Sequence, residues 1–579
     1  MIEQLITDHL DLWSSAVRPK SSAGRGSNKL ELTGIKKLRE LILELAVRGK
    51  LVTQDPNDEP ASVLLERIAA EKARLVKEGK IKKPKPLPEI TDDEKPFELP
   101  DSWCWARLQD IADYNGRPNI DPSNIKSDAW LLDLEDIEKD TSRLIYRASY
   151  AERESKSNKS IFKCGDVLYS KLRPYLNKVI VADIDGICTT EIVPITPTDA
   201  VGSEYLKCLL KSPAFLNYVN SLMYGVKMPR LGTEDAIKSV HPLPPLEEQH
   251  RIVAKVDELM SLCDQLEQQS EASLAAHQTL VETLLATLTE SADSSELAKN
   301  WARLAQHFDS LFTTQSSIDA LKQTILQLAV MGKLVPQDPN DEPASALLER
   351  IAAEKARLIK EGKIKKEKPL PPISEEEKLF ALPDGWQYER VGTFCLVGTG
   401  ATPSRTNNKY WESATVNWVS SGETSDLFVS ETNEKISALA VKETNVTVYP
   451  VGTLIVAMYG QGKTRGQITE LLVEAGTNQA CAAIVMIEKS ENIKNYIKIF
   501  FRKAYSEIRE QAAGGAQPNL NVGKISTTVI PIPPIAEQHR IVTKVEELMS
   551  LCDQLSARLQ ASQTTQLHLA EALVEGALN

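Results

Sequence analysis

Basic groups interleaved with aromatic ones mark the stretch of this chain best suited to holding phosphate. After Gly165 the sequence reads GDVLYSKLRPYLNK, where a strand-like VLYS leads into Lys171, Arg173, Tyr175 and Lys178. Such spacing suits phosphate positioning, and arginine is the commonest reader of guanine edges. An ordinary charged hairpin would look the same, and the pattern alone does not choose. Lys227 and Arg230 in YGVKMPRL have the same status, with Pro229 and Leu231 holding the backbone. A second pattern, AMYGQGKT from Ala457 to Thr464, fits a loosened phosphate loop ending in Gly462, Lys463 and Thr464. A true phosphate loop opens a helix whose first amides face the anion. Here TRGQITELLV continues through Gly466 into a strand-like run with no partner motif for magnesium, so nucleotide hydrolysis is the weaker reading.

Other catalytic chemistries find less support. VGTGA at Val397 has the look of a glycine-rich cofactor turn, but adenine methylation needs an Asn/Asp-Pro-Pro-aromatic loop and the chain has none. No nuclease-like cluster of carboxylates and lysine stands out, and seven histidines supply no Ser/His/Asp set. His250 and His539 stand beside Arg251 and Arg540, where helix-end packing or partner contact outweighs acid-base work. None of the eight cysteines falls in a C-x-x-C pair, and no metal site is expected. We therefore assign no catalytic residue and no cofactor to this chain.

The elements that must position these residues are duplicated. Ile42 to Pro88 returns as Ile325 to Pro371, 283 residues later, with six changes in 47 positions. Glu248 to Leu266 returns as Glu537 to Leu555, 289 residues later, with two changes in 19. Between each first and second repeat lies a stretch that does not repeat, so two equal frames carry two unequal modules. A period this long with two units excludes a stacked solenoid. In the second repeat Ile252, Val256, Leu259, Cys263 and Leu266 step by four and three, as do Ile541, Val545, Leu548, Cys552 and Leu555. This is the spacing of a coiled-coil seam. Pro244 and Pro245 bar a helix before it and nothing breaks it up to about Glu290, predicting a rod of ~60 Å at 1.5 Å per residue. Two such rods would pair most economically antiparallel, setting the modules at opposite ends. In the first repeat Pro60 starts a helix and Gly79 stops it, before a basic proline-rich KIKKPKPLP best read as a semi-rigid linker. ITDHLDLW near Ile6 faintly matches LAQHFDSL near Leu304.

Composition gives the setting. With 579 residues, 42% apolar and 26% charged, the chain can build three or four units with their own cores. The N-terminus has no basic start followed by an apolar core, which points away from a signal peptide or membrane span. Unpaired cysteines, two of them on the apolar seam, point to a reducing cytoplasmic setting. The net charge of −12 is uneven: 104–240 carries 18 Lys and Arg against 19 Asp and Glu, and 387–529 carries 14 against 13. The acidic excess therefore sits on the frames, and near-neutral modules can still present a basic face to DNA.

The closes of the two modules, YGVKMPRLGTEDAIKSVHPLPPLEEQHRIV from Tyr224 and GGAQPNLNVGKISTTVIPIPPIAEQHRIV from Gly514, resemble the end of a target-recognition domain in the DNA-specificity subunit of type I restriction-modification systems. GTGATPSRTNNKYWESATVNWVSS from Gly398 is similar to that family's glycine, Thr-Pro-Ser, Tyr-Trp and Trp pattern. The resemblance spans the chain, and the long repeats look like a type IB-like subclass. The first module departs from it, with DYNGRPNIDPSNIKSDAWLLDLEDI in place of the Thr-Pro-Ser segment.

The resemblance implies an α+β fold: two globular α/β target-recognition domains separated by two long helices forming an antiparallel coiled coil, with an internal pseudo-twofold. On that pattern 1–103 and 291–386 are helical repeat regions, 104–246 and 387–535 the recognition domains, and 247–290 and 536–579 the spacer helices. It makes DNA contact the expected role of Lys171, Arg173, Tyr175, Lys178, Lys227 and Arg230. In the second module the same role falls to Thr402, Ser404 and Arg405, to Tyr459, Gln461, Lys463 and Arg465, and to Gln517 and Asn519. Glutamine and asparagine can pair bidentately with adenine, although either could cap a turn. The implied partners are a bipartite double-stranded DNA site, two modification subunits that use S-adenosylmethionine, and restriction subunits that use ATP and magnesium. A coiled-coil scaffold binding only proteins is the alternative from another class.

Overall fold

The computed structural model describes residues 2–19, 30–79, 85–153, 155–222, 228–292, 294–459, 464–513 and 520–578. Two compact units are formed, one mainly from Leu30–Ala272 and one from Ser273–Ser562, with the last residues from Gln563 belonging to the first. Each unit carries one copy of both repeats and one module. No described helix is long and apolar enough to cross a membrane.

The repeats fold alike because their apolar positions coincide. In the first unit the Thr33–Val47 helix buries Ile35, Leu38 and Ile42 on one face, and in the second the Gln315–Val330 helix buries Ile318, Leu321 and Ile325. Proline caps the next helix in both, over Ala61–Lys77 and Ala344–Lys360, and Gly79 and Gly362 stop it at φ near +70°, where a side chain would be strained. The faint N-terminal match has a structural counterpart: short helices break at His9 and at His307, with Ile6 and Leu304 buried.

The long helices are Leu246–Glu290, of 45 residues, and Ile535–Leu578, of 44. Seam residues Ile252, Val256, Leu259 and Cys263 are buried, as are Ile541, Val545, Leu548 and Cys552, while Leu266 and Leu555 are half-buried. In the second unit that stripe shares one core with Ile318, Leu321 and Ile325, and Lys322 pairs with Asp553 at 2.6 Å. In the first unit Arg39 binds Glu267 at 2.8 Å and Asp264 at 2.5 Å. The stripe predicted as a seam is thus buried in both long helices, and along this stretch ion pairs tie each long helix to the repeat helix of its own unit. Periodicity fixes which face is buried and does not name the element that covers it. The two seam thiols Cys263 and Cys552 are buried, whereas Cys164 is exposed and Cys104 half-exposed.

Polar contacts repeat along with the apolar ones. Glu248, fully buried, accepts Trp103 Nε1 at 3.0 Å and Gln54 Nε2 at 3.1 Å, and Arg251 pairs with Asp58 at 2.6 Å. In the second unit Glu537 accepts Trp386 at 2.9 Å and Gln337 at 3.1 Å, and Arg540 pairs with Asp341 at 2.6 Å. Burial pushes both glutamate pKa values up, against the hydrogen bonds that favour the ionised form. His250 and His539 lie beside these locks and take no part in them.

The modules share a topology that their sequences hide. In the first, one sheet runs Val179–Val181, Val167–Ser170, Ile192–Pro197, Ala112–Tyr114, and a second contains Gly186–Cys188 parallel to Trp130–Leu132. In the second, the matching order is Ile468–Leu471, Leu454–Ala457, Cys481–Met486, Cys395–Thr399, with Val416–Val419 parallel to Ala475–Thr477 in the other sheet. First and last strands close each module: Cys104–Arg107 pairs with Val240–Leu243, and Gln387–Arg390 with Val529–Ile532. Arg107 and Arg390, both buried, clamp these ends. Arg107 binds the carbonyls of Lys238 at 2.6 Å and Pro88 at 3.1 Å, and Arg390 those of Thr527 at 2.5 Å and Pro371 at 2.7 Å. Each divergent insert is therefore closed by the same pairing of strands and the same arginine clamp.

One closing position differs in a testable way. His241, opposite Ala106, is buried with Nε2 2.8 Å from the Ser239 hydroxyl, whereas Ile530, opposite Glu389, takes its place in the second module. Burial pushes the His241 pKa down to about 4. The unfolded chain binds a proton near ~6.5 and the folded chain does not, so unfolding takes up a proton between those values. Stability of the first unit is complete above the unfolded value and falls as pH drops from ~6.5 to about 4, by on the order of 3 kcal/mol. Denaturant melts at pH 7 and 4.5 should show this loss, and His241→Ile should flatten it.

Candidate nucleic-acid interface

In the first module the strand Val167–Ser170 delivers Lys171 to a junction of three loops. The Lys171 amide donates to the Glu191 carbonyl at 3.0 Å, and its own carbonyl accepts the Leu231 amide at 2.9 Å. Leu172 forms a bridge with Arg230, and the Arg173 amide donates to the Pro229 carbonyl at 2.9 Å. The two loops singled out by sequence therefore lie side by side. Arg173 and Tyr175 are exposed, and Arg173 adopts a left-handed conformation at φ 50° before Pro174. A non-glycine residue held there stores strain, which concentrates at functional positions. Arg230 is exposed but held by Glu191, with both carboxylate oxygens at 2.9 and 3.0 Å. Lys178 is different, since its ammonium donates inward to the Leu134 carbonyl at 2.6 Å and burial lowers its pKa.

In the second module the Thr-Pro-Ser segment lies close on the sheet. A Cβ on Gly400 would stand 1.7 Å from the Thr477 carbonyl oxygen, so glycine is required at that crossing. The Trp418 indole donates to the Ala401 carbonyl at 3.2 Å and the Trp411 indole to that of Ser404 at 3.1 Å. These bonds present Arg405, whose guanidinium lies 3.8 Å over the Trp411 ring and pairs with Glu434 at 2.5 and 2.7 Å. Cation–π stacking of this kind contributes about 0.5–1 kcal/mol at an exposed site. Ser404 bonds Thr406 at 2.9 Å, and Thr402 donates to Gln479 Oε1 at 2.5 Å. Tyr459, exposed at the end of Leu454–Ala457, donates its amide to the Ala480 carbonyl at 3.4 Å. Thr402 and Tyr459, far apart in sequence, thus converge on the turn Asn478–Ala480.

Arg465 is half-buried in the turn before Gly466. The chain then returns as the strand Ile468–Leu471, antiparallel to Leu454–Ala457, where a phosphate loop would have opened a helix. Lys227, Gln461, Lys463, Gln517 and Asn519 lie outside the described residues. Sequence reasoning missed Gln479, Glu191 and Glu434, and named Trp411 and Trp418, which cradle Arg405, only as part of the family pattern. A polar Asn-Gln pair between the apolar strands AGT and CAAIVM was the available signal for Gln479.

Comparison with known proteins shows the family to which these modules belong. The family model for the type I restriction modification DNA specificity domain matches twice, over residues 100–276 and 383–562. The specificity subunits of the type I restriction enzymes EcoAI and EcoEI, both from Escherichia coli, are each 44% identical to the chain, over 610 and 604 aligned residues that cover all of both proteins. A solved structure described as the structural basis underlying complex assembly and conformational transition of the type I R-M system aligns with TM-score 0.54 at 19% identity, over 84% of this chain and 99% of that one. That likeness concerns the fold. With two matched domains and full-length identity at this level, the chain belongs to the DNA sequence-specificity subunits of type I restriction-modification systems.

Proposed function

We propose that each module reads one half of a bipartite double-stranded DNA target, that the two frames hold two copies of one modification subunit, and that the chain itself catalyses no reaction. The observation that carries this reading is the contrast between frames and modules. Buried locks such as Trp103–Glu248 and Trp386–Glu537 recur contact for contact, while the loops on a common sheet topology differ in sequence. Matching surfaces suit two copies of one partner, and unlike loops suit two unlike half-sites. Methyl transfer with S-adenosylmethionine, and ATP- and magnesium-dependent translocation and cleavage, then belong to the modification and restriction subunits. Contact is assigned to the exposed Arg173, Tyr175, Arg230, Thr402, Ser404, Arg405 and Tyr459.

Exchange of 387–529 for the corresponding module of a related specificity subunit tests the reading. In cells carrying the complete system, mapping of methylated adenines should show one half-site replaced and the other unchanged. Alteration of both half-sites would refute independent reading. Salt-insensitive, unselective binding of the unaltered complex would favour a scaffold that binds proteins alone.

A further inference from the structure

We infer that Gln479, presented by the three-residue connection Asn478–Ala480, reads an adenine edge in the DNA half-site of the second module, with Thr402 fixing the orientation of its amide. This rests on the proposal that the modules read DNA. Three observations carry it beyond that proposal. First, the connection joins the two sheets, running from Ala475–Thr477 in one to Cys481–Met486 in the other. Its counterpart in the first module, Thr189–Glu191, joins Gly186–Cys188 to Ile192–Pro197. Both receive the same backbone bond from the end of the neighbouring strand: Met458 amide to Ala480 carbonyl at 2.8 Å, and Lys171 amide to Glu191 carbonyl at 3.0 Å. The fold thus places this turn beside the contact loops in each module, and gives it different side chains in each.

Second, the turn is rigid where it must be. The Asn478 carboxamide accepts the Ala480 amide at 3.0 Å, and the Asn478 amide donates to the Val419 carbonyl at 3.1 Å. Third, Gln479 is exposed, and the Thr402 hydroxyl occupies one lone pair of its Oε1 at 2.5 Å. With the hydroxyl as donor, the amide oxygen lies on the Thr402 side. The bond leaves the second lone pair and the Nε2 hydrogens, an acceptor beside a donor, which match the N6 hydrogen and N7 of adenine in the major groove. Thr402 is a positioning residue in this arrangement. In the first module the equivalent turn uses Glu191 to hold Arg230, so the same place in the fold sets a different reader.

The test uses the full chain assembled with its modification subunit and a library of DNA targets varied one base pair at a time. The unaltered complex is measured first. Unselective methylation by it would overturn DNA reading by the modules altogether, and this inference with it. Given a selective complex, Gln479→Ala should lower preference at one base pair of one half-site by about tenfold to a hundredfold, with the other half-site and the salt dependence unchanged. Gln479→Glu should move preference at that base pair from A·T toward C·G, because a carboxylate accepts from cytosine N4. Thr402→Val should weaken preference at the same base pair and Thr402→Ser retain it. Unchanged selectivity in Gln479→Ala would overturn the inference while leaving the broader reading intact. A uniform loss across all sequences with a shallower salt slope would also overturn it, by making Gln479 a phosphate contact.

Discussion

Gly400→Val should abolish discrimination at the half-site read by the second module while leaving the other half-site readable. The expected loss of selective affinity is about tenfold or more, the scale of losing one good base contact and its neighbours. The reason is steric and local. A Cβ at this position would lie 1.7 Å from the Thr477 carbonyl oxygen and 2.7 Å from its hydroxyl, and Thr477 is fully buried in a central strand. The sheet cannot give way, so the Thr402–Arg405 segment must lift, which breaks the Thr402–Gln479 bond and the Trp418 bond to Ala401. Neither the buried Arg390 clamp nor the Trp386–Glu537 lock involves this segment, and the frame should still assemble with its partners. Binding to targets with either half-site scrambled is the measurement. Equal loss at both half-sites would mean that the substitution unfolds more than one loop.

The frame was legible in the sequence because burial leaves a period. Pro60, Gly79, the stripe Ile252–Val256–Leu259–Cys263 and the copy at Ile541 all stand where their spacing requires. The ion pairs from Arg39 to Asp264 and Glu267 were not legible, since an apolar period says which face is buried and not what stands beside it. Loops were legible as places. Lys171–Tyr175 and Arg230 do meet, and Thr402 and Tyr459 bond neighbouring residues of one turn. Side-chain state was not. Lys178 looks as free as Arg173 in LRPYLNK, yet a carbonyl 2.6 Å away takes its proton donor inward. Gln479 escaped notice because its importance comes from strand connectivity, which places it between two loops drawn from other parts of the module. The common topology of the modules was equally hidden, since a shared strand order leaves only scattered shared residues such as Arg107 and Arg390.

The module itself should depend on a buried charge cluster, and Glu470→Gln is expected to destabilise the second unit by about 3–5 kcal/mol. Glu470 lies on the strand Ile468–Leu471 and faces two lysines of the Glu491–Ala513 helix. It pairs with Lys494 at 2.6 Å and also binds Lys498, and all three side chains are at most 10% exposed. Burial raises the Glu470 pKa, but the hydrogen bonds from Lys494 and Lys498 outweigh it and hold the carboxyl below its usual range. Lys494 has a second partner in Glu491 at 2.6 Å, which is largely exposed. Lys498 has the Phe428 ring 4.3 Å away and little else. Removing the carboxylate charge therefore strands Lys498 in an apolar setting, a cost that exceeds what the intact cluster contributes net. Lys498 is then left without a counter-ion, which loosens the helix from the sheet. Because the folded carboxyl titrates lower than the unfolded one, its stabilisation is present above ~4.5 and disappears as pH falls through the lowered folded value. Glu470→Gln should lack that acid-dependent step in denaturant melts. Replacing Glu470, Lys494 and Lys498 together by Met should recover most of the lost stability, which separates a stranded charge from lost packing. If the single and triple variants melt alike, packing rather than charge holds this helix to its sheet.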